Sequence, residues 1–99
     1  MAHVTYTPAA EAEAGAIFRN YEDERDGLGV EFLNEILRVE EHLGYNPALY
    51  QRVDGDMRRA VLRRFPYGLL CVIDGEEVIV LSCYHLHRRP PRRATLLAR

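Results

Sequence analysis

The side chains best suited to chemistry in this 99-residue sequence lie in its C-terminal half. His85 and His87 can exchange a proton near neutral pH, and Tyr67 and Tyr84 are further candidates. Arg59 and Arg88 can supply only positive charge, because a guanidinium stays protonated. Such groups suit metal-independent acid–base chemistry at a phosphate, which needs a base, an acid and cations for the charged transition state. We favour a simpler role for His85, as a strand-end residue that bonds to the backbone.

A metal site is the second chemistry that the sequence suggests. Cys83, His85 and His87 alternate, so they would share one face of a continuing strand, and zinc accepts these atom types. Alternate residues on a strand stand about 6–7 Å apart, however, so three ligands from one straight strand do not converge, and no fourth ligand is evident. We therefore predict no metal and no small-molecule cofactor. Cys71 and Cys83 are also placed too far apart for a disulfide.

Arginine is the most distinctive residue type, since all 13 basic residues are Arg and there is no Lys. Arg presents a planar fork of donors that suits carboxylates and phosphates. Three roles are open for these side chains: solvated surface charge, binding of a phosphate backbone, or binding of acidic side chains on a protein partner. The candidates for partner binding are Arg58, Arg59, Arg63, Arg64, Arg88 and Arg89.

The charges divide the chain into two halves of opposite sign. Residues 1–57 hold 12 Asp or Glu and 4 Arg, whereas residues 58–99 hold 9 Arg and 3 Asp or Glu. This asymmetry predicts a basic surface on one structural unit. The length suits a single domain, 1–99, and 28% charged residues with no apolar run of about 20 residues predict a soluble protein with no membrane partner. No secretion leader is visible, so we expect a cytoplasmic protein.

The acidic half has the periodicity of two helices. Residues His3 to Tyr6 alternate like a short strand, and Thr7-Pro8 is a typical helix start that leads to about Asp26. A break at 27–29 precedes a second helix over 30–43, which Gly44 would cap. The apolar rows are Ala10, Ala14, Ile17 and Tyr21 on the first helix, and Phe32, Ile36, Val39 and Leu43 on the second, with Leu33 and Leu37 beside them.

The basic half has the pattern of strands. After a loop over 46–56, the sequence predicts strands over 57–65, 67–73 and 78–84, the last two joined by a hairpin turn at Asp74-Gly75. We therefore predict an α+β fold with an N-terminal strand, an antiparallel helical hairpin and a three-stranded antiparallel meander. The helices would cover one face of the sheet, and the arginines would emerge on the other.

An ordered set of short motifs resembles the ParE branch of the RelE/ParE toxin superfamily over nearly the whole chain. The set comprises Thr7-Pro8-Ala9-Ala10, Asn46-Pro47, Arg58-Arg59, Phe65-Pro66-Tyr67, the apolar hairpin and His85-Leu86-His87-Arg88-Arg89-Pro90. This resemblance implies the toxin of a type II toxin–antitoxin pair, held inactive by a cognate antitoxin protein, with the RelE/ParE-like fold. ParE-like members act on DNA gyrase.

The superfamily also implies two alternatives. RelE-like members bind in the ribosome and cleave mRNA, and for that chemistry the catalytic residues here would be Arg59, His85 and Arg88. A degenerate member would only bind its partner. Ribonuclease members commonly carry a basic residue after the aromatic of the third strand, and a Tyr or His near the C-terminus. Here Gly68 follows Tyr67 and the chain ends Ala-Thr-Leu-Leu-Ala-Arg, which favours the gyrase branch. The aromatic residue that often follows the closing Arg-Pro in ParE relatives is absent.

Overall fold

A computed structural model describes residues 1–99 as an α+β fold in which two helices cover one face of a five-stranded sheet. The helices are α1 (Pro8–Glu24), α2 (Leu28–Tyr45) and α3 (Arg93–Ala98). The strands are β1 (His3–Tyr6), β2 (Arg52–Asp54), β3 (Met57–Val61), β4 (Tyr67–Asp74) and β5 (Glu77–His85). The sheet order is β1-β5-β4-β3-β2, with β1 parallel to β5 and all other pairs antiparallel. The predicted α+β fold is confirmed, and two of the five strands lie outside the predicted meander.

The predicted helical hairpin is confirmed, but α2 begins at Leu28, inside the predicted break, and ends at Tyr45. The Thr7 hydroxyl accepts a hydrogen bond from the Ala10 N–H (3.1 Å), and Pro8 occupies the first helical position. Gly27 takes a left-handed conformation (φ +89°) that reverses the chain into α2. At Gly29 a Cβ would lie 2.6 Å from the Phe18 carbonyl oxygen, so only glycine lets the helices approach this closely.

Helix α2 buries one row of side chains rather than the wide face that the sequence predicts. Phe32, Ile36, Val39 and Leu43 are all buried. Leu33 and Leu37 point outwards and remain 39% and 59% exposed, because α1 and the sheet meet only one side of α2. Gly44 is not the cap; it lies inside the helix, where its carbonyl accepts the Ala2 N–H (2.8 Å), and Asn46 is the C-cap.

One layer of apolar side chains lies on each side of the sheet. On the helical face, which α1 and α2 cover, the core holds 13 buried residues, among them Ala60, Leu69, Cys71 and Val80. The opposite face, here called the second face, holds a smaller cluster of Met57, Leu70, Val72, Leu81, Tyr84 and Leu96. A register shift at Leu70/Cys71 changes the pairing of β4 with β5, and the two strands are buried on both faces over much of their length.

Strand β3 ends at Val61, four residues earlier than the sequence predicts. Leu62 and Phe65 are both buried in the helical-face core although they are three residues apart. Strand alternation would send them to opposite faces, so the chain has to turn between them. Arg63 and Arg64 therefore lie in a β3–β4 turn instead of on a strand.

The segments predicted as irregular contain further elements. The loop over 46–56 holds a short 3₁₀ helix at Pro47–Leu49 and β2, and residues beyond Pro90 form α3. These elements are short and depend on tertiary contacts: Leu96 of α3 is only 4% exposed, in the second-face cluster. No helix combines the length and the apolar composition needed to cross a membrane.

Candidate functional site

A cleft of about 380 Å³ lies between α1 and the end of the β4–β5 hairpin. We call it the α1–β5 cleft. Helix α1 supplies Glu13, Ala16, Ile17 and Asn20, which recur at intervals of three, one and three and so share one helical face. The sheet supplies Tyr67, Cys83, Tyr84 and His85, and the segment after β5 supplies Arg88, Arg89 and Pro91.

His85 lines this cleft, and its ring packs edge to face against two other rings. Its ring is 5.1 Å from the Tyr67 ring at an interplanar angle of 77°, and 5.2 Å from the His87 ring. The His85 Nδ1 atom accepts the His87 backbone N–H (3.1 Å), so the proton of the neutral ring is on Nε2. The backbone bond expected for His85 is therefore present, and a donor remains available.

Glu13, which lines the cleft, and Arg99 cover the free edge of β5. Beyond Val80 no strand pairs with this edge. The Cys83 N–H instead donates to the Glu13 carboxylate (3.2 Å), and the Leu81 carbonyl accepts from the Arg99 guanidinium (2.7 Å). Arg99 also bonds both Glu13 oxygens, at 2.8 and 3.1 Å. The only carboxylate that lines the cleft is therefore already neutralised.

Arg88 and Arg89 are exposed and make no ion pair or side-chain hydrogen bond within the chain. Many other arginines are engaged: Arg25, Arg38, Arg64, Arg93 and Arg99 pair with carboxylates, and Arg58 bonds to carbonyl oxygens. The cleft thus combines two unpaired guanidinium groups with an apolar wall formed by Ala16, Ile17 and Tyr67.

The cysteines behave as core side chains. Burial raises the pKa of Cys71 to about 11, and burial together with the neighbouring Glu13 carboxylate raises that of Cys83 to about 12. Both thiols are therefore neutral near pH 7, and both are free. No group of three or more His, Cys, Asp or Glu side chains is placed to hold a metal ion.

The residues proposed for RNA cleavage do not come together. Arg59 is opposite Leu70 in the register, and Leu70 belongs to the second-face cluster. His85 is opposite Tyr67, whose ring packs on the helical-face core. Arg59 and His85 therefore point to opposite faces of the sheet, while Arg88 lies with His85 in the cleft.

The arginines of β3 and its turn are also divided between faces, contrary to the expectation that all would emerge opposite the helices. Arg58, opposite Cys71, lies on the helical face and donates to the carbonyls of Ala48 (3.1 Å) and Tyr50 (2.7 Å). Arg64 reaches Glu31 on α2 at 2.6 Å. Arg59 and Arg63 have no side-chain partner within the chain. Arg58 and Arg64 therefore support the fold, whereas Arg59 and Arg63 make no contact that the fold requires.

A buried glutamate of helix α2 is influenced by the turn that presents Arg63 and Arg64. Glu35 of α2 is only 8% exposed and pairs with Arg38. Burial alone would raise its pKa, but the Arg38 ion pair and the backbone N–H groups of Arg63 and Arg64 lower it below the ordinary value of 4.5. The backbone of the basic turn therefore favours the ionised form of this α2 side chain.

The packing of the second face explains why position 68 is a glycine. A Cβ at this position would lie 3.0 Å from Leu86 Cδ2 and 3.3 Å from Tyr84 Cε1. Leucine and tyrosine side chains therefore occupy the space where a basic side chain would begin. With Leu96 of α3 packed in the same cluster, this face presents an apolar layer over the centre of the sheet.

Sequence reasoning missed the contribution of α1 to the cleft and the pairing of Arg99 with Glu13. The signal for α1 was present: Glu13, Ala16, Ile17 and Asn20 form a second row beside the core row of the same helix. The Arg99 contact carries no local signal, since it joins residues 86 positions apart.

The comparisons with known proteins give a likeness at the level of the fold. No protein-family model matches the sequence, and no curated protein is similar enough to match it. Among solved structures, a chain described as the chromosomal ParDE TA system from P. aeruginosa superposes with a TM-score of 0.76. The two chains are 18% identical, and the match covers 88% of this chain and 98% of that one.

The superposition defines the class of fold. This chain shares its fold with a chain of that ParDE TA system, so the predicted fold is confirmed.

Proposed function

We propose that the chain is the toxin of a type II toxin–antitoxin pair, neutralised by a cognate antitoxin protein. The observation that carries this proposal is the fold shared with the ParDE system over nearly the whole length of both chains. The free arginines support it, because a protein that acts by binding partners needs exposed groups that the fold itself does not use.

The proposed target is DNA gyrase, and the proposed action is binding without chemistry on the part of the toxin. The absence of converging catalytic groups supports this choice over mRNA cleavage, since His85 and Arg59 are on opposite faces of the sheet. Position 68 itself also supplies no cation for a phosphate, because Gly68 has no side chain and Leu86 and Tyr84 crowd the space beside it.

The proposed antitoxin-binding arginines are Arg59, Arg63, Arg88 and Arg89, with Arg58 and Arg64 acting through the loops they hold. Charge reversal separates these roles. Arg59→Glu should weaken antitoxin binding in calorimetry and leave the thermal midpoint nearly unchanged. Arg58→Glu should lower the thermal midpoint, because it removes two hydrogen bonds to carbonyls. Unchanged antitoxin affinity for Arg59→Glu would remove that residue from the interface.

The function is tested by inducible expression in bacteria. Induction should arrest growth, and co-expression of the protein encoded by a neighbouring short reading frame should restore it. Purified chain should then inhibit a gyrase supercoiling reaction and leave cell-free translation intact. Truncated mRNA in the translation reaction would favour the endonuclease alternative, and no effect in any assay would indicate a chain that only binds its partner. A core-disrupted Leu69→Asp variant is the matched inactive control, because Leu69 is completely buried.

A further inference from the structure

We propose that the α1–β5 cleft is a docking site for a short acidic segment of a protein partner, in which a carboxylate stands beside an apolar side chain. This inference deepens the proposed function and rests on it only for the identity of the natural partner.

The first argument for an acidic ligand is that the arginines of the cleft have no counter-ion within the chain. Arg88 and Arg89 line it without an internal counter-ion, and the one carboxylate that would compete for them, that of Glu13, is held by Arg99 and by the Cys83 N–H. The Nε2–H of His85, which also lines the cleft, adds a further donor. A carboxylate that entered would meet donors already freed from the chain's own acids.

The shape and lining of the cleft define the rest of the ligand. Ala16, Ile17 and Tyr67 form an apolar wall, which favours an aliphatic or aromatic side chain next to the carboxylate. A volume of about 380 Å³ holds a few side chains. Helix α1 beyond the cleft carries Glu22, Asp23 and Glu24, so a long polyanion such as nucleic acid would meet repulsion there. A short protein segment therefore fits better than a phosphate backbone.

The test uses two synthetic peptides and the full chain labelled with ¹⁵N. The acidic peptide is acetyl-Gly-Leu-Glu-Phe-Glu-Gly-amide, and its control carries Gln in place of both Glu residues. Amide signals of residues around the cleft, such as 16, 85 and 88, should shift on titration. The affinity should be at least tenfold higher for the acidic peptide.

Two variants and one control assign the effect to the cleft. The double substitution Arg88→Ala with Arg89→Ala should lower the affinity for the acidic peptide at least tenfold. Ala16→Trp should do the same by filling the space while all charges stay, since Ala16 is exposed on a helix and tolerates a larger side chain. Arg92→Ala, in the same segment but outside the cleft, should leave the affinity within twofold.

Three outcomes would overturn the inference. The first is equal affinity for the two peptides, and the second is a set of shifted signals elsewhere on the chain. The third is tighter, strongly salt-dependent binding of hexauridylate at the same residues, which would assign the cleft to a phosphate backbone. The peptide assay requires neither the natural antitoxin nor gyrase. A negative result here therefore leaves the growth assay unaffected, and a failed growth assay leaves the cleft measurement unaffected.

Discussion

Replacement of Glu35 by Gln tests whether helix α2 holds the basic turn in place. The Glu35 side chain is 8% exposed and pairs with Arg38, and the backbone N–H groups of Arg63 and Arg64 help to lower its pKa. Gln keeps the size and one acceptor but loses the charge. Hydrogen bonds to charged groups contribute about 1.5–3 kcal/mol, so we expect Glu35→Gln to reduce the free energy of unfolding by about that amount at pH 7.

The pH dependence of this loss has a defined sign. The pKa of Glu35 is lower in the folded chain than its ordinary value of 4.5, so its ionised form is favoured by folding. The stabilisation is complete above pH 4.5 and disappears as the pH falls through the lowered folded-state pKa. The difference between the wild-type chain and Glu35→Gln should therefore shrink in acid.

Urea denaturation at several pH values measures both quantities, provided that the slope with denaturant is the same in both proteins. Glu41→Gln, an exposed neighbour on α2 without an ion pair or hydrogen bond, is the matched control and should be close to neutral. A loss below about 0.5 kcal/mol, which is the range of ordinary surface substitutions, would refute the anchoring role. So would a loss that does not change with pH.

Three further predictions concern stability and reactivity. Gly68→Lys should lower the free energy of unfolding by about 1–3 kcal/mol in urea, because the new Cβ crowds Leu86 and Tyr84; a neutral result would mean that these side chains move aside. Cys71 and Cys83 should resist iodoacetamide at pH 8 until urea unfolds the chain, since burial raises both pKa values; modification of the folded chain, read by mass spectrometry, would contradict this. Thr7→Ala should cost about 1 kcal/mol through loss of the α1 cap, whereas Thr7→Ser should restore most of it; equal melting of the two variants would exclude the cap.

The features that the sequence predicts well are those with strong local signals. The Thr7-Pro8 start of α1 and the buried row of α2 depend on residues close in the chain, and both are confirmed. The Asp74-Gly75 turn is likewise confirmed, with Gly75 at φ +61°.

The features that sequence reasoning missed depend on contacts between distant residues. Strand alternation alone does not reveal that Leu62 and Phe65 enter the same core, so β3 was predicted too long. Helix α3 is too short to be stable alone and docks through Leu96 and an ion pair of Arg93 with Asp56. The two halves of the cleft likewise meet only in the folded chain.

The dependence on distant contacts also explains why the sequence does not identify the candidate site. The sequence singles out the arginines by their number, but it does not separate Arg58 and Arg64, which the fold uses, from Arg88 and Arg89, which it leaves unpaired. That distinction depends on which carboxylates and carbonyls lie nearby in three dimensions.

The most direct test of the account is the affinity of the purified antitoxin for chain variants, measured by calorimetry at fixed salt. The double variant Arg88→Ala with Arg89→Ala should bind at least tenfold more weakly than the wild-type chain. The control with Arg52→Ala and Arg92→Ala removes the same charge from two other arginines that lie outside the cleft, and it should bind within about threefold. Equal weakening of both double variants, or of neither, would contradict the claim that the cleft is where a protein partner binds.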